Sequence, residues 1–266
     1  MLKSSVSEES REISYSTWRS YVLNNGSEEL IRLEEECWSP WLSAPAESLL
    51  GRAEIFPEGQ ICAHSEQGLL ASLSVNRIHW DGRAETLPTW DQVAGDPSTC
   101  ERTFSADGNT LCLLSMNVRK EVRGRRLSGT LVRSLLNHAR QVGAEHVIGS
   151  FRPSAYGEAV LSAVERGCAP PEFADYCFGR DSAGTLIDPW LRTISKMGMK
   201  PVVVDHEAMS RHVTAKEFED LRRDSWRAID LAGRTAWWCN ETGFFYQQEG
   251  GMFRYVESNL WGTLAV

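Results

Sequence analysis

Apolar positions recur at two different spacings in residues 111–152, and this segment gives the clearest structural signal of the chain. Residues 111–118 and 146–151 are short, mostly apolar runs, which are typical of buried strands. Between them, apolar side chains stand three and four residues apart at Leu127, Leu131, Val132, Leu135, Leu136 and Ala139. Because this spacing places the side chains on one side of a helix, the segment predicts strand, loop, helix and strand.

The pattern continues on both sides of this unit. Upstream, alternation and capping residues predict a strand over 12–18, helices over 27–38 and 45–55, and strands over 60–64 and 69–80. Downstream, they predict helices ending near 166, 198 and 229, a strand over 200–205, and a hairpin of residues 237–248 and 252–256. We therefore predict an α/β protein. We expect residues 1–10 to be a flexible tail and 11–266 to form one domain, with an insertion near 167–185.

The loop before the central predicted helix is rich in arginine. It consists of Arg123, Gly124, Arg125, Arg126, Leu127 and Ser128. The first N–H groups of a helix have no partner within it, and the helix dipole adds positive potential there. With arginine side chains beside them, these amides predict a receptor for a phosphate-bearing ligand. A plain solvated basic loop is the alternative interpretation.

The charge distribution favours a small anionic ligand. The formal net charge of −8 argues against general nucleic-acid binding. Residues 119–140 nevertheless carry seven basic side chains against one acidic side chain, Glu121. A basic island on an acidic protein suits a small phosphate-bearing molecule better than a long polyanion.

Cysteine usage and hydropathy indicate the compartment. The seven cysteines are odd in number and show no Cys-x-x-Cys spacing, which favours reduced thiols in a cytoplasmic protein without a metal site. The sequence contains no stretch of about eighteen apolar residues and no basic-then-apolar leader, so we expect neither a membrane span nor a secretory signal.

Val118, Arg123, Gly124, Leu127 and Leu131 resemble the core signature of the GCN5-related N-acetyltransferases, the GNAT superfamily. The order of predicted elements is also similar to that family's order. The resemblance implies a GNAT fold with a mixed central sheet of about seven strands flanked by helices. It also implies that the loop over 123–128 binds acetyl-CoA or another acyl-CoA. The chain departs from the family pattern at Arg126 and Ser128, where the family keeps small residues.

The same resemblance implies where the reacting groups lie. The family's bulged fourth strand supplies a backbone donor to the thioester oxygen, which here points to the amides near Asn117 and Val118. The tyrosine that often protonates the departing thiolate falls at Ile194, which cannot donate a proton. Tyr156 and Tyr176 are then the remaining tyrosine candidates.

A narrower similarity covers about half of the chain. Residues 89–91, Thr-Trp-Asp, and the pair Asp188-Pro189 resemble GNAT-like domains of polyketide loading modules and nitrilase fusions. In the loading domains, a histidine near the Asp-Pro pair and a threonine on the preceding core strand are associated with malonyl-CoA decarboxylation. Here Ile187 precedes the pair, and Ser150 stands in the threonine's place.

Ser150, His79, Trp90 and Tyr156 are the candidate catalytic residues. His79 ends a predicted strand beside the long loop that contains Trp90. For each of them, a structural place in the core or on the surface is the alternative.

These observations predict an acyltransferase that moves an acetyl or short acyl group from CoA to a small-molecule amine or a carrier-bound acceptor. The second hypothesis is a polyketide-loading-type S-acyltransferase or decarboxylase that acts with an acyl carrier protein. The third is a degenerate GNAT fold that binds CoA or another ligand without catalysis. The sequence leaves the acceptor and the oligomeric state open.

Overall fold

Ten strands form one mixed sheet in the computed structural model, which describes residues 12–95, 99–231 and 233–266. The strands are β1 (Ser14–Thr17), β2 (Gln60–Ser65), β3 (Gly68–Ile78), β4 (Thr110–Val118), β5 (His146–Phe151), β6 (Lys200–Thr214), β7 (Arg227–Leu231), β8 (Arg234–Trp238), β9 (Phe244–Gln247) and β10 (Met252–Leu264). The expected mixed α/β sheet is confirmed, but it has more strands than the sequence indicated. The tail over 1–10 lies outside the described residues.

The strands follow the order β1-β2-β3-β4-β5-β10-β9-β8-β7. The β4–β5 pair is parallel, and the other described pairs are antiparallel. Strand β10 is shared, because Phe253–Val256 pair with β9 and Leu260–Leu264 pair with β5. Strand β6 pairs along both of these parts and therefore lies on the opposite edge of β10.

Helices cover both faces of the sheet. They are α1 (Trp18–Asn25), α2 (Glu28–Cys37), α3 (Ala46–Ile55), α4 (Trp90–Ala94), α5 (Leu127–Gln141), α6 (Tyr156–Glu165), α7 (Phe173–Phe178), α8 (Pro189–Lys196) and α9 (Ala215–Leu221). In the part of the chain that the structure describes, no helix is both long enough and apolar enough to cross a bilayer.

Alternation along β4 and β5 divides the core into two layers. Leu111 and Val147 belong to one apolar cluster, which includes residues of α5 and α8. Their chain neighbours Cys112 and Ile148 belong to another cluster, with residues of α4. Because successive strand side chains point to opposite faces, α5 and α8 cover one face and α4 covers the other.

Capping residues fix where several helices begin. Asp188 Oδ1 accepts hydrogen bonds from the amides of Trp190 (3.0 Å) and Leu191 (2.9 Å), which confirms the predicted start of α8. Thr214 and Glu217 form the predicted capping box of α9. That helix ends at Leu221, however, and not near residue 229.

The hairpin β7–β8 contains the last residues, 227–229, of that predicted helix. Ile229 and Ala236 face each other across the hairpin and are buried with Val160 of α6 and Phe244 of β9. Tertiary packing of these apolar side chains outweighs the helical pattern. Strands β6 and β10 are also longer than predicted, since β6 continues to Thr214 and β10 continues to Leu264, and the two strands pair with each other.

The residues between β6 and β10 add a second unit to the sheet. Helix α9 packs Phe218 against Phe253, with ring centroids 3.8 Å apart, and both belong to a cluster with Trp226 and Tyr255. This unit extends the sheet beyond β10, and its loop from β8 to β9 reaches the end of β5. The predicted insertion over 167–185 contains α7, whose Phe173 is buried in the main core.

Candidate active site

The parallel strands β4 and β5 separate part-way along their length. Their pairing ends at Leu113 and Gly149, although β4 continues to Val118 and β5 to Phe151. At the same place the register between β3 and β4 shifts by one residue, so Leu114 forms a β-bulge. A cleft of about 1140 Å³ opens where the strands part, and we call this point, at Leu114 and Ser150, the fork.

One end of the cleft is basic. Arg123, Arg126, Arg133 and Lys196 line it around the beginning of α5. Helix α5 starts without a side-chain cap, so its first N–H groups are available to a ligand. Arg123 Nε donates to the carbonyl oxygen of Val118 at 3.1 Å, which ties the loop to the end of β4. We call the cleft-lining residues of this loop, with Arg133 and Lys196, the phosphate end; those of the loop are Arg123, Gly124, Arg126, Leu127 and Ser128.

A buried charge cluster lies on the inner side of the same cleft. Arg152, directly after β5, pairs with Glu241 and with Glu257, the latter at 3.0 Å between Nε and Oε1. Its guanidinium also lies over the ring of Trp38 at 5.2 Å. Ser39 donates a hydrogen bond to Glu241, and the Tyr255 hydroxyl donates to Glu257 at 2.6 Å. We call this cluster the inner end.

Burial and charge alter the titration of the inner end. Burial raises the pKa of Glu257, and the neighbouring Arg152 opposes this effect. For Arg152, burial disfavours the charged form, but attraction to Glu257, Tyr255 and Glu241 raises the guanidinium pKa above its ordinary value. We conclude that Arg152 stays protonated and is held by carboxylates.

A smaller cavity of about 130 Å³ lies beside the cleft and shares Trp38 and Ser115 with it. Asp91 lines this cavity, and burial raises the pKa of its carboxyl group, which accepts a hydrogen bond from the Ser210 amide at 3.1 Å. The Ser115 hydroxyl is buried without a hydrogen-bond partner among the described residues. Trp38 and Ser115 therefore separate the two cavities.

Comparison with known proteins identifies the fold. No protein-family profile matches the chain, and no curated protein matches it. The loading GNATL domain of CurA from Lyngbya majuscula is 22% identical, with a TM-score of 0.58 over 73% of this chain and 87% of that chain. The GphF GNAT-like decarboxylase in complex with isobutyryl-CoA is 18% identical, with a TM-score of 0.56 over 96% and 98%. This chain has the GNAT fold.

Within this GNAT fold, most of the residues predicted to bind the cofactor line the cleft. They are Asn117, Val118, Arg123, Gly124, Arg126, Leu127 and Ser128. Arg125 is exposed and does not line it. Gly124 and Arg126 both have positive φ angles, of 83° and 64°. The arginine therefore adopts a left-handed conformation that glycine favours, at a position where the family keeps a small residue.

The bulge lies earlier in β4 than the resemblance implied. It is centred on Leu114 and not near Asn117 and Val118. The side chain of Asn117 turns into the protein, where its Nδ2 donates to Glu34 at 2.6 Å and its Oδ1 accepts from Trp38 Nε1 at 2.7 Å. A bulge residue is read from strand pairing, which the sequence of one strand does not reveal.

The four candidate catalytic residues fall in different places. Ser150 lines the cleft just beyond the last β4–β5 pair. His79 is exposed and lies 3.3 Å from Asp107 Oδ1, outside the cleft. Trp90 lines the smaller cavity and donates from Nε1 to the bulge carbonyl of Leu114 at 2.8 Å. It therefore holds the bulge in place from the side of the smaller cavity.

Tyr156 lies next to the cleft without lining it. Its hydroxyl donates to the Pro171 carbonyl at 3.2 Å, its ring packs against Phe173 and Tyr176, and burial raises its pKa to about 12. Tyr176 donates to Asp188 at 3.3 Å. Ile194 stands where the resemblance implies a proton-donating tyrosine, and it is fully buried in the core. These contacts give both tyrosines structural partners.

Arg152 and Glu241 were not identified from the sequence. Glu241 stands in a short loop, Cys-Asn-Glu-Thr-Gly, that resembles an ordinary turn. Its partner Arg152 is 89 residues away in the chain. Only the pairing of β10 with both β5 and β9 brings them together.

Proposed function

We propose that this chain transfers an acetyl or short acyl group from CoA to a small-molecule amine or a carrier-bound acceptor. The observation that carries the proposal is the phosphate end, where uncapped helix amides and four basic side chains line one cleft. Amides at a helix N-terminus and the guanidinium groups of arginines bind phosphate oxygens. The acetyl-CoA pyrophosphate is the ligand that this end would hold.

The parted strands suit the rest of the cofactor. The unpaired edge of β4 from Leu114 to Val118 faces the cleft, so its backbone can pair with the amides of a pantetheine arm. The thioester would then lie at the fork, beside the bulge and Ser150. We propose that backbone groups at the bulge and the Ser150 hydroxyl stabilise the oxygen that becomes negative during acyl transfer.

Calorimetric titration of acetyl-CoA tests the phosphate end. We expect the double variant Arg123→Glu/Arg126→Glu to bind at least about a hundredfold more weakly than wild type, since two charge-assisted contacts become repulsive. The matched control is Arg125→Glu/Arg140→Glu, which changes the net charge equally at exposed residues that do not line the cleft. Equal acetyl-CoA affinity in wild type and Arg123→Glu/Arg126→Glu would contradict the proposal.

The second candidate is a loading-type reaction, in which malonyl-CoA is decarboxylated and the acyl group passes to an acyl carrier protein. It is supported by Ser150 in the cleft and by the similarity to a loading domain and a decarboxylase. Incubation with malonyl-CoA followed by mass spectrometry tests it. Loss of carbon dioxide would support this reaction, whereas intact malonyl-CoA would count against it. Binding of acetyl-CoA without turnover on any acceptor would indicate the non-catalytic alternative.

A further inference from the structure

The inner end holds more acidic than basic groups. One guanidinium, Arg152, contacts two carboxylates, Glu241 and Glu257. Two hydroxyls donate to those same carboxylates, from Ser39 and Tyr255. An anionic ligand that enters the cleft therefore meets an arginine that is already occupied.

The two carboxylates differ in their access to the cleft. The side chains of Arg152 and Glu241 are 19% and 16% exposed and line the cleft, whereas Glu257 is fully buried behind them. Glu241 comes from the loop between β8 and β9, in the unit that extends the sheet beyond β10. Thr242 fastens this loop by donating from its hydroxyl to the Pro153 carbonyl at 2.7 Å.

The cluster is close to the proposed reaction centre along β5. Ser150 and Arg152 are two residues apart, and both line the cleft. In the amide orientation that satisfies both of its ends, Asn259 accepts from Ser150 Oγ at 3.2 Å and donates to Glu257 at 3.1 Å. A polar chain thus connects the fork to the charge cluster.

We propose that Glu241 determines acyl-donor specificity by occupying Arg152, so that the cleft accepts uncharged acyl groups and rejects acyl groups that carry a free carboxylate. This inference rests on the proposed binding of acyl-CoA. A malonyl carboxylate would have to displace Glu241 from Arg152 or approach it as a like charge. Both alternatives are unfavourable in a partly buried site, where charges are poorly screened.

The direct test compares two thioesters of nearly the same shape on wild-type protein. Malonyl-CoA carries a terminal carboxylate, and acetoacetyl-CoA has a methyl ketone in its place. By calorimetry, we expect malonyl-CoA to bind at least about tenfold more weakly than acetoacetyl-CoA. Equal or tighter binding of malonyl-CoA would overturn the inference. Failure of both thioesters and of acetyl-CoA to bind would instead contradict the proposed function.

A pair of variants tests the role of Glu241 itself. We expect Glu241→Gln to free the guanidinium and to shift the ratio of the two affinities at least about tenfold toward malonyl-CoA. The control is Glu257→Gln, which changes the other acidic partner of Arg152 in the same way but leaves Glu241 facing the cleft, and it should shift the ratio much less. An unchanged ratio in Glu241→Gln, or an equal shift in both variants, would contradict the assignment. Circular dichroism confirms folding, and the wild-type comparison stands without either variant.

Discussion

The two ends of the cleft use arginine in opposite ways. At the phosphate end, Arg123, Arg126 and Arg133 make no ion pair with any carboxylate of residues 12–95, 99–231 and 233–266. At the inner end, Arg152 pairs with two carboxylates and lies over an indole ring. The first arrangement leaves positive charge for a ligand, and the second uses it to hold the protein together.

This difference predicts which end determines affinity and which determines stability. An exposed arginine without a carboxylate partner costs little to remove from the folded state, but its loss weakens the binding of an anion. A buried arginine between two carboxylates supports the fold, because its removal leaves uncompensated charge. The same type of side chain should therefore give opposite phenotypes at the two ends.

The largest expected effect is that of Arg152→Leu. Because Glu241 and Glu257 would lose their cation in a buried site, we expect the free energy of unfolding to fall by about 3–5 kcal/mol. Urea denaturation followed by circular dichroism measures this change. The matched variant at the other end, Arg133→Leu, should alter stability by less than about 0.5 kcal/mol and mainly weaken acetyl-CoA binding. A similar loss of stability in both variants would contradict the different roles that we assign to arginine at the two ends.

A smaller effect concerns pH. Burial raises the pKa of Glu257 in the folded state, so its protonated form is the one that folding favours. This contribution to stability is complete below the ordinary carboxyl pKa of about 4.3 and is lost as the pH rises through the raised folded pKa. Glutamine carries no titrating proton. We therefore expect Glu257→Gln to lose less stability than wild type as the pH rises through this range.

Unfolding measured at a series of pH values checks this expectation. Arg133→Leu is the control, because it leaves the inner end intact and should keep the wild-type pH profile. Parallel profiles for wild type and Glu257→Gln would show that this carboxyl group does not titrate with folding.

The phosphate end could be predicted from the sequence because its residues are local. Arg123 to Ser128 are adjacent in the chain, and the periodic leucines of α5 fix where the helix begins. Asn117 and Val118 of the same unit line the cleft, although the bulge lies earlier in β4, at Leu114. Strands β2 to β5 and helix α5 were predicted correctly for the same reason, since alternation and helical spacing act over short distances. Helix α4 was missed, because it lies in the segment that was expected to be a long loop.

The inner end could not be predicted because it depends on long-range pairing. Arg152 resembles a polar residue after a strand, and Glu241 resembles a turn residue. The helix α1 was also missed, because Trp18 and Tyr21 become buried only by packing against other elements, as when Trp18 Nε1 donates to the Ile61 carbonyl at 2.9 Å. His79 illustrates the reverse error, since its position near a long loop did not place it in the cleft.

The smallest and most local prediction concerns Arg126, whose φ angle of 64° is left-handed. An L-residue other than glycine is strained there, and a positive side chain at a helix N-terminus opposes the dipole. Arg126→Gly and Arg126→Ala both remove the charge, but only glycine relieves the backbone. We expect Arg126→Gly to be more stable than Arg126→Ala by about 0.5–1 kcal/mol, the reverse of the usual ranking of these residues.

Both Arg126 variants should bind acetyl-CoA several-fold more weakly than wild type, because the phosphate end loses one cation while the helix amides remain. Urea denaturation and calorimetry on the same samples separate the two quantities. If Arg126→Gly gained stability and also bound acetyl-CoA more tightly, the arginine would be an obstacle in the cleft and not a phosphate ligand. The contrast between the ends would then rest on Arg123 and Arg133 alone.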